Sequence, residues 1–436
     1  MSEKDQVKHG IKEVLDRFLR RIDSLAGTLP LTMIVINAVQ RSTDEAYSAF
    51  AEDHVVEADE GDGVYVKQDK LRQFNRLSRR LSDSSIALEI VPRSFLAALV
   101  GQYDAFLGNL ISELLNVKPE ILNGSERNLT YAQLTEFEDM EAARRYVVEK
   151  EVESVLRKSH SSHFDWLESK FDIPLRKGLD VWPTFIELTE RRNLFAHTDG
   201  VVSSQYMAVC SEHSALRDEI SFGDRLRVDP DYFEEAFNAV YELAVKLTHV
   251  LWRKLIPGER VKADGDLVNI TYNLLEEERY ELARVIADFS LVTLKKHESE
   301  LTRRTLVINR AQAYKWLNDP DAAHRIVADE DWSAMSDKFH LAVAVLKDDF
   351  DTAERVMRKI GVDSDELPPF AYKDWPLFKE FRKSDQFLAA YKDLTGDEFK
   401  ESEAEAKLIL SGSPESESEQ RAPNQPLQVD EGPKGS

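Results

Sequence analysis

The sequence predicts an all-α fold, and two observations carry this prediction. Apolar residues recur at steps of three and four along most of the 436-residue chain, which is the period of a helix with one buried face. Proline and glycine also stand where such stretches begin and end. Pro183 and Gly200 bracket one predicted helix, and Pro230 and Gly258 bracket another. We therefore expect helical domains joined by loops.

Residues 1–90 are predicted to form an N-terminal helical extension. A helical stripe opens it, formed by Ile11, Val14, Leu15, Phe18, Leu19, Ile22 and Leu25. The acidic, glycine-containing segment 57–63 is expected to be a loop. A second helical pattern, rich in arginine, then covers residues 70–81.

Residues 91–258 are predicted to form a second domain. Pro92 is expected to begin a long helix whose apolar residues, between Phe95 and Leu115, cover more than one face, so this helix is expected to be buried. A loop around Gly124 and a charged helix over 138–158 follow. A helix from Pro183 leads into the stretch Arg192-Asn193-Leu194-Phe195-Ala196-His197, called here the Arg192–His197 motif, and the last helix begins at Asp229-Pro230.

Residues 264–395 are predicted to form a further helical domain. Three stretches have a similar sequence pattern, in which a small residue stands near the start of a predicted helix. They are residues 279–284, 319–324 and 350–355. Their spacing is near 40 and then near 30 residues, and the pattern resembles a degenerate tetratricopeptide array. The alternative is an irregular helical domain. Residues 400–436 lose aromatics and gain Ser, Glu, Pro and Gly, which predicts a disordered acidic tail.

The composition argues against several classes of protein. The formal net charge is −23, and residues 397–436 hold ten acids and four bases, so −17 remains on the rest. This disfavours a broad nucleic-acid surface, because phosphate binding needs clustered Lys and Arg. The single cysteine, Cys210, excludes an intrachain disulfide and fits the cytoplasm. No apolar run approaches a membrane span, and no signal peptide is evident, so no membrane association is expected.

The most informative stretch is the Arg192–His197 motif. An arginine can hold a phosphate and stabilise negative charge that develops on it. A histidine can transfer a proton near neutral pH. Together the two side chains can cleave RNA without a metal, because the 2′-hydroxyl of RNA can itself be the nucleophile.

The stretch from Leu188 to Val202, with Tyr206 after it, strongly resembles the signature of the HEPN superfamily. The helix from Phe95 to Leu115 resembles the first core helix of that family, and the helix 229–255 resembles its last. The resemblance implies a HEPN helical bundle over residues 91–258 that acts as a homodimer, with two motifs facing one cleft. It also implies a metal-independent endoribonuclease of the kind found in toxin–antitoxin and antiphage defence systems.

The resemblance implies a role for each of three residues of the motif. His197 would transfer a proton at the 2′-hydroxyl or the leaving 5′-oxygen, Arg192 would stabilise the phosphorane, and Asn193 would bind the phosphate or orient His197. Five helical residues separate the side-chain directions of Arg192 and His197 by about 140°. Fraying after Ala196, or a partner's copy across a two-fold axis, would bring the two groups together.

Three other side chains are predicted to contribute to substrate binding. Arg191 would add phosphate affinity, with a salt-bridged residue as the alternative. Asp104 could face the motif, or be an exposed acid. Tyr206 would stack on a base, with a core tyrosine as the alternative. Asp199 is expected to cap the loop after the motif.

No metal or cofactor is expected. Cys-x-x-Cys, His-Glu-x-x-His and glycine-rich phosphate loops are absent from the sequence. His160, His163 and Asp165 have a spacing that could suit a metal, but the serines around them indicate a loop.

The sequence thus predicts a HEPN endoribonuclease with an RNA substrate such as a tRNA. The helical region 264–395 is expected to sense a trigger or bind a protein partner. The alternative is a non-catalytic HEPN scaffold that binds nucleic acid or a protein, and the net charge favours it. The intact Arg192–His197 pair favours the enzyme, because a scaffold has no evident need for both groups.

Overall fold

The computed structural model describes residues 10–57, 64–124, 129–294, 296–362, 364 and 366–400. Helices dominate these ranges, which confirms the all-α prediction. One short antiparallel pair, β1 (Val55–Glu57) and β2 (Val64–Val66), was not predicted. Apart from Lys400, the predicted tail lies outside the described residues.

The α-helices of the described ranges are α1 (Ile11–His54), α2 (Leu71–Val117), α3 (Tyr131–Leu134), α4 (Met140–Leu156), α5 (His160–Phe171), α6 (Trp182–His197), α7 (Ser204–Glu212), α8 (Pro230–Leu255), α9 (Arg260–Glu276), α10 (Tyr280–Asp288), α11 (Glu300–Trp316), α12 (Pro320–Ala328), α13 (Asp337–Leu346), α14 (Phe350–Ile360), α15 (Pro369–Asp374) and α16 (Asp385–Thr395).

The first two helices form one long antiparallel hairpin. The rings of Phe18 and Phe106 stack near its base with centroids 4.5 Å apart, and Gln40 Nε2 donates to Ser85 Oγ at 3.2 Å in its outer half. The base is buried, whereas the outer half leaves Leu31, Ile34, Val35, Val39, Ile86 and Ile90 about half exposed.

The hairpin corrects the expectation that a separate helix begins at Pro92. Residues 71–117 form a single helix with Pro92 inside it, so the predicted boundary at residue 90 falls within α2. Pro30 lies inside α1, and both prolines line the same cavity against α8. Each proline removes only one backbone donor. Because α1 and α2 pack against each other, each helix continues on both sides of its proline.

Two helices, α1 and α2, are long and apolar enough to cross a membrane by length and composition alone. These two helices correct the expectation that no apolar run approaches the length of a membrane span. One or two such helices are weak evidence for a membrane span, because core helices of soluble proteins pass the same test; the apolar window is 11% buried in α1 and 33% buried in α2.

The bundle core lies where α2, α6 and α8 meet. Its fully buried side chains come from all three helices, and they include Leu99, Leu107, Leu110, Phe185, Leu188, Val240, Leu243 and Ala244. Asp229 starts α8 by accepting from the backbone N–H of Tyr232 at 2.8 Å, as the sequence predicted. The α4 and α5 helices pack on the same bundle and bring His160 beside α2.

The C-terminal region repeats one helix–turn–helix unit three times, as α9–α10, α11–α12 and α13–α14. Each turn contains one left-handed residue, Glu278, Asn318 or Asp348, with φ of 58°, 63° and 56°. In each unit the next backbone N–H donates back to the helix at 2.8–3.0 Å. The small residues near the starts of the second helices, Ala283, Ala323 and Ala353, are at most 1% exposed.

The C-terminal units are continuous with the bundle. The first hydrophobic core extends from Ile11 to Ala313 and includes α9 and α10. A second core extends from Val307 to Tyr391 and includes α13, α14 and α16. Helix α11 contributes to both cores and so connects the two regions.

Candidate functional site

Helix α6 carries the Arg192–His197 motif and is fixed at both ends. Pro183 lies in its first turn, and Phe185 and Leu188 are fully buried. At the other end, Gly200 has φ 83° and its N–H donates to Leu194 O at 3.1 Å. A Cβ at Gly200 would lie 3.0 Å from the Phe195 ring and 3.1 Å from Leu226 O, so both the conformation and the space favour glycine.

Ion pairs hold the loop after α6 against α2. Asp199 Oδ1 accepts from Arg93 at 2.9 Å, and its other oxygen accepts from Arg225. Glu89 also pairs with Arg93 and Arg225. The Arg93 guanidinium lies 4.8 Å from the centre of the Phe195 ring. Among the described residues the Asp199 side chain accepts from these two arginines and from no backbone N–H, so the expected loop cap is not seen, and the ion pairs fix the end of α6 on the bundle.

Arg192 points toward α2 and α5. Its guanidinium lies 3.6 Å from Asp104 Oδ2, and Asp104 Oδ1 lies 3.0 Å from His160 Nε2. The prediction that Asp104 faces the motif is therefore confirmed. The Arg192 side chain is 27% exposed, and its Nε has no acceptor among the described residues. Helices α2, α5 and α6 thus hold a cation with donor capacity left over.

His160 is the site residue that the sequence analysis did not assign. The serine-rich segment around it is not a loop: Ser159 accepts from the N–H of Ser162 at 3.3 Å and caps α5. His160 and His163 lie one turn apart on this helix, with ring centroids separated by 5.2 Å. Their three-residue spacing after a capping serine was a usable helix signal, but only the fold shows that His160 reaches Asp104.

The charges of the site shift the pKa values of three groups. Burial tends to raise the pKa of Asp104, but its hydrogen bond with His160 and the charge of Arg192 together hold that pKa below its usual value. Burial, with the neighbouring His160, lowers the pKa of His163 to about 4. Burial raises the pKa of Glu190. Asp104 is therefore the carboxylate that balances Arg192 at neutral pH.

His197 lies apart from this cluster in a single chain. It is exposed and forms no hydrogen bond or ion pair with the residues the structure describes. Helix α6 remains helical through His197, so the fraying considered from the sequence does not occur. The angle of about 140° between the two side-chain directions is kept, and Arg192 and His197 do not meet within one chain.

Asn193 is paired with an acid. Its side-chain amide donates to Glu190 Oε1 at 3.2 Å, one turn back on α6. The structure therefore does not support the expectation that Asn193 orients His197, and binding of a phosphate would require the amide to leave Glu190.

Arg191 and Tyr206 are core residues, which corrects their assignment to substrate binding. Both contact the buried carboxylate of Glu187: Arg191 Nε donates at 2.7 Å and the Tyr206 hydroxyl at 2.6 Å. Tyr232 donates to the other oxygen at 2.7 Å, and Arg191 also lies 3.8 Å from the centre of its ring. Burial raises the pKa of Tyr206. Neither side chain is open to a ligand, because Arg191 is 6% and Tyr206 0% exposed.

In the described ranges, no group of three or more His, Cys, Asp and Glu side chains is placed to hold a metal ion. Of the trio considered from the sequence, His160 contacts Asp104 while Asp165 pairs with Arg176 at 2.6 Å. Comparisons with protein-family models, with curated proteins and with solved structures gave no match. The site is thus defined by its own geometry, as an arginine–carboxylate–histidine cluster beside a helix that ends in an exposed histidine.

Proposed function

We propose that this chain is a metal-independent endoribonuclease with a HEPN-type bundle over residues 91–258. The observation that carries the proposal is the environment of Arg192. An arginine that is paired with Asp104, itself bonded to His160, and whose side chain is 27% exposed suits binding of a phosphate and of the charge that develops on it.

The reaction is attack of an RNA 2′-hydroxyl on the adjacent phosphorus, with loss of the 5′-oxygen. A base takes the proton of the 2′-hydroxyl, and an acid gives a proton to the leaving oxygen. His197 performs one of these transfers, and Arg192 neutralises the pentacoordinate phosphorus centre. The products are a 2′,3′-cyclic phosphate and a 5′-hydroxyl, and no metal enters any step.

The catalytic pair is completed across a homodimer. Arg192 faces Asp104 and His160, whereas His197 is exposed at the end of α6, so a two-fold partner can present its His197 to this Arg192. The tetratricopeptide-like units α9–α14 bind a trigger or a protein partner. A cytoplasmic role in toxin–antitoxin or antiphage defence completes the proposal.

The alternative is a non-catalytic scaffold, and two observations favour it. Arg192 is already ion-paired with Asp104, and His197 does not contact it within one chain. Such a protein would bind RNA or a partner through the same face and would cleave nothing.

The test is cleavage of total cellular RNA in EDTA by the wild-type chain, Arg192→Ala and His197→Ala. His324→Ala and Arg325→Ala form the matched control, because these neighbours supply the same residue types on α12, outside the bundle. We expect cleavage by the wild type and both controls, with cyclic-phosphate ends, and at least about a hundredfold slower cleavage by either site variant. Equal rates for all five chains, or metal-dependent cutting, would refute the nuclease.

A further inference from the structure

One stretch of α2 carries four exposed arginines close together in this acidic protein. Arg72, Arg76, Arg79 and Arg80, called here the arginine stripe, are exposed and form no ion pair with any described residue. Elsewhere arginines are commonly paired, as Arg284 is with Glu281 and Asp288, and Arg303 with Glu330. These four guanidinium groups lie close together on one exposed helix, at an end of the hairpin that also carries the exposed acids Asp44, Glu45, Glu52 and Asp83.

Part of the stripe lies on the same side of α2 as Asp104. At about 100° per residue, Arg79 and Arg72 lie within about 20° and 40° of the direction of Asp104, whereas Arg76 lies about 80° and Arg80 about 120° away. The exposed residues between them on this side are Asp83, Ile86 and Ile90, followed by the small residues Ser94, Ala97 and Gly101. An extended anion lying along α2 can therefore reach both the stripe and Arg192.

The distance between the two sites sets the size of this anion. Residues 80 and 72 precede Asp104 by 24 and 32 positions, which corresponds to about 36–48 Å along a helix that rises about 1.5 Å per residue. The B-form DNA duplex advances roughly 3.4 Å per nucleotide step, and the A-form RNA duplex advances less. A base-paired RNA therefore needs at least roughly ten stacked steps to contact both places at once.

We propose that the arginine stripe is a second RNA-binding surface, which anchors a structured RNA by its phosphates while Arg192 engages the cleaved bond. This inference rests on the proposed nuclease function. The proposed second surface favours folded RNAs of tRNA size as substrates over short RNA fragments. Arginine suits this role because its planar group can donate two hydrogen bonds to one phosphate.

The test measures RNA binding separately from cleavage. The full chain with His197→Ala is compared with the same chain carrying Arg72→Gln, Arg76→Gln, Arg79→Gln and Arg80→Gln. A control chain carries Lys254→Gln, Arg325→Gln, Lys347→Gln and Lys373→Gln, which remove the same charge at exposed positions with no ion pair among the described residues. The probes are unfractionated tRNA and a five-base-pair RNA stem–loop, each at several salt concentrations.

We expect the stripe variant to bind tRNA at least about tenfold more weakly than the control chain near 0.1 M salt. Its log–log salt slope should be smaller by about three to four, as expected for the loss of four phosphate contacts. Binding of the stem–loop should be the same for both chains, because this probe cannot span the distance. Equal tRNA binding by the stripe and control variants would overturn the proposal.

Two further measurements separate other uses of the stripe. Stripe-dependent binding to phosphatidylserine vesicles, without stripe-dependent tRNA binding, would overturn the proposal in favour of a membrane surface. Loss of self-association in the stripe variant, measured by light scattering, would also overturn it, since the exposed acids Asp44, Glu45 and Glu52 on α1 could pair with the stripe of a second copy. Binding of tRNA through the stripe by a wild-type chain that never cleaves RNA would refute the nuclease and keep the RNA surface.

Discussion

At the scale of single residues, neighbours in sequence have opposite surroundings. Arg191 is enclosed by Glu187 and Tyr232, while Arg192 points toward Asp104 and keeps part of its surface in solvent. On a helix, adjacent side chains differ in direction by about 100°, so two arginines side by side cannot share one role here. Arg191 holds the bundle together, and Arg192 is the group available to a ligand.

The core role of Tyr206 predicts a loss of stability without a loss of RNA affinity. Tyr206→Phe removes the hydroxyl that donates to buried Glu187, and this should lower the free energy of unfolding by about 1–2 kcal/mol. Urea unfolding measures the loss, and KM for RNA should stay at the wild-type value. Tyr131→Phe, at a side chain that is 83% exposed, should change neither quantity. A raised KM with unchanged stability would restore Tyr206 to substrate binding.

The buried His163 predicts a pH dependence of stability. Its pKa is about 4 in the folded chain against 6.5 ordinarily, so between these values the unfolded chain binds a proton that the folded chain does not. The free energy of unfolding should therefore fall as the pH drops from 6.5 to 4, by up to about 3 kcal/mol from this residue. Replacement with His163→Gln should flatten the curve in this window, and an unchanged slope would contradict the assignment.

At the scale of elements, the sequence predicted the motif helix and the last bundle helix well, because proline, glycine and capping residues mark their ends. It misplaced the start of α2, because a proline usually marks a helix boundary, and here Pro92 is kept inside by the pairing of α2 with α1. It also read the segment around His160 as a loop. The contact of His160 with Asp104 joins residues 56 apart in sequence, and no local pattern encodes such a contact.

The repeated helix pairs predict a tight steric limit at their small residues. Ala323 is fully buried between α11 and α12, so Ala323→Leu should lower the free energy of unfolding by about 1–3 kcal/mol through overpacking. Ala328→Leu, at the exposed end of the same helix, should have an effect within about 0.5 kcal/mol. Similar unfolding midpoints for the two variants would mean that the alanine position does not limit helix approach.

At the scale of the whole molecule, one hydrophobic core extends from the hairpin through the bundle to α11, and a second extends onward from α11. Helices α13–α16 are therefore connected to the bundle through α11. The arginine stripe and Asp104 lie on the same helix, α2, and Arg192 contacts Asp104 from α6. The proposed activity nonetheless requires a second copy, because Arg192 and His197 do not meet within one chain.

The most direct test of the central claim is to mix Arg192→Ala and His197→Ala chains, allow their subunits to exchange, and measure RNA cleavage in EDTA. In a mixed dimer, the unaltered Arg192 of one protomer meets the unaltered His197 of its partner, so one of the two sites is intact. Random exchange makes half of the dimers mixed, and the mixture should recover about a quarter of the wild-type rate while each variant alone stays inactive. An active wild type with no recovery in the mixture would contradict the shared site.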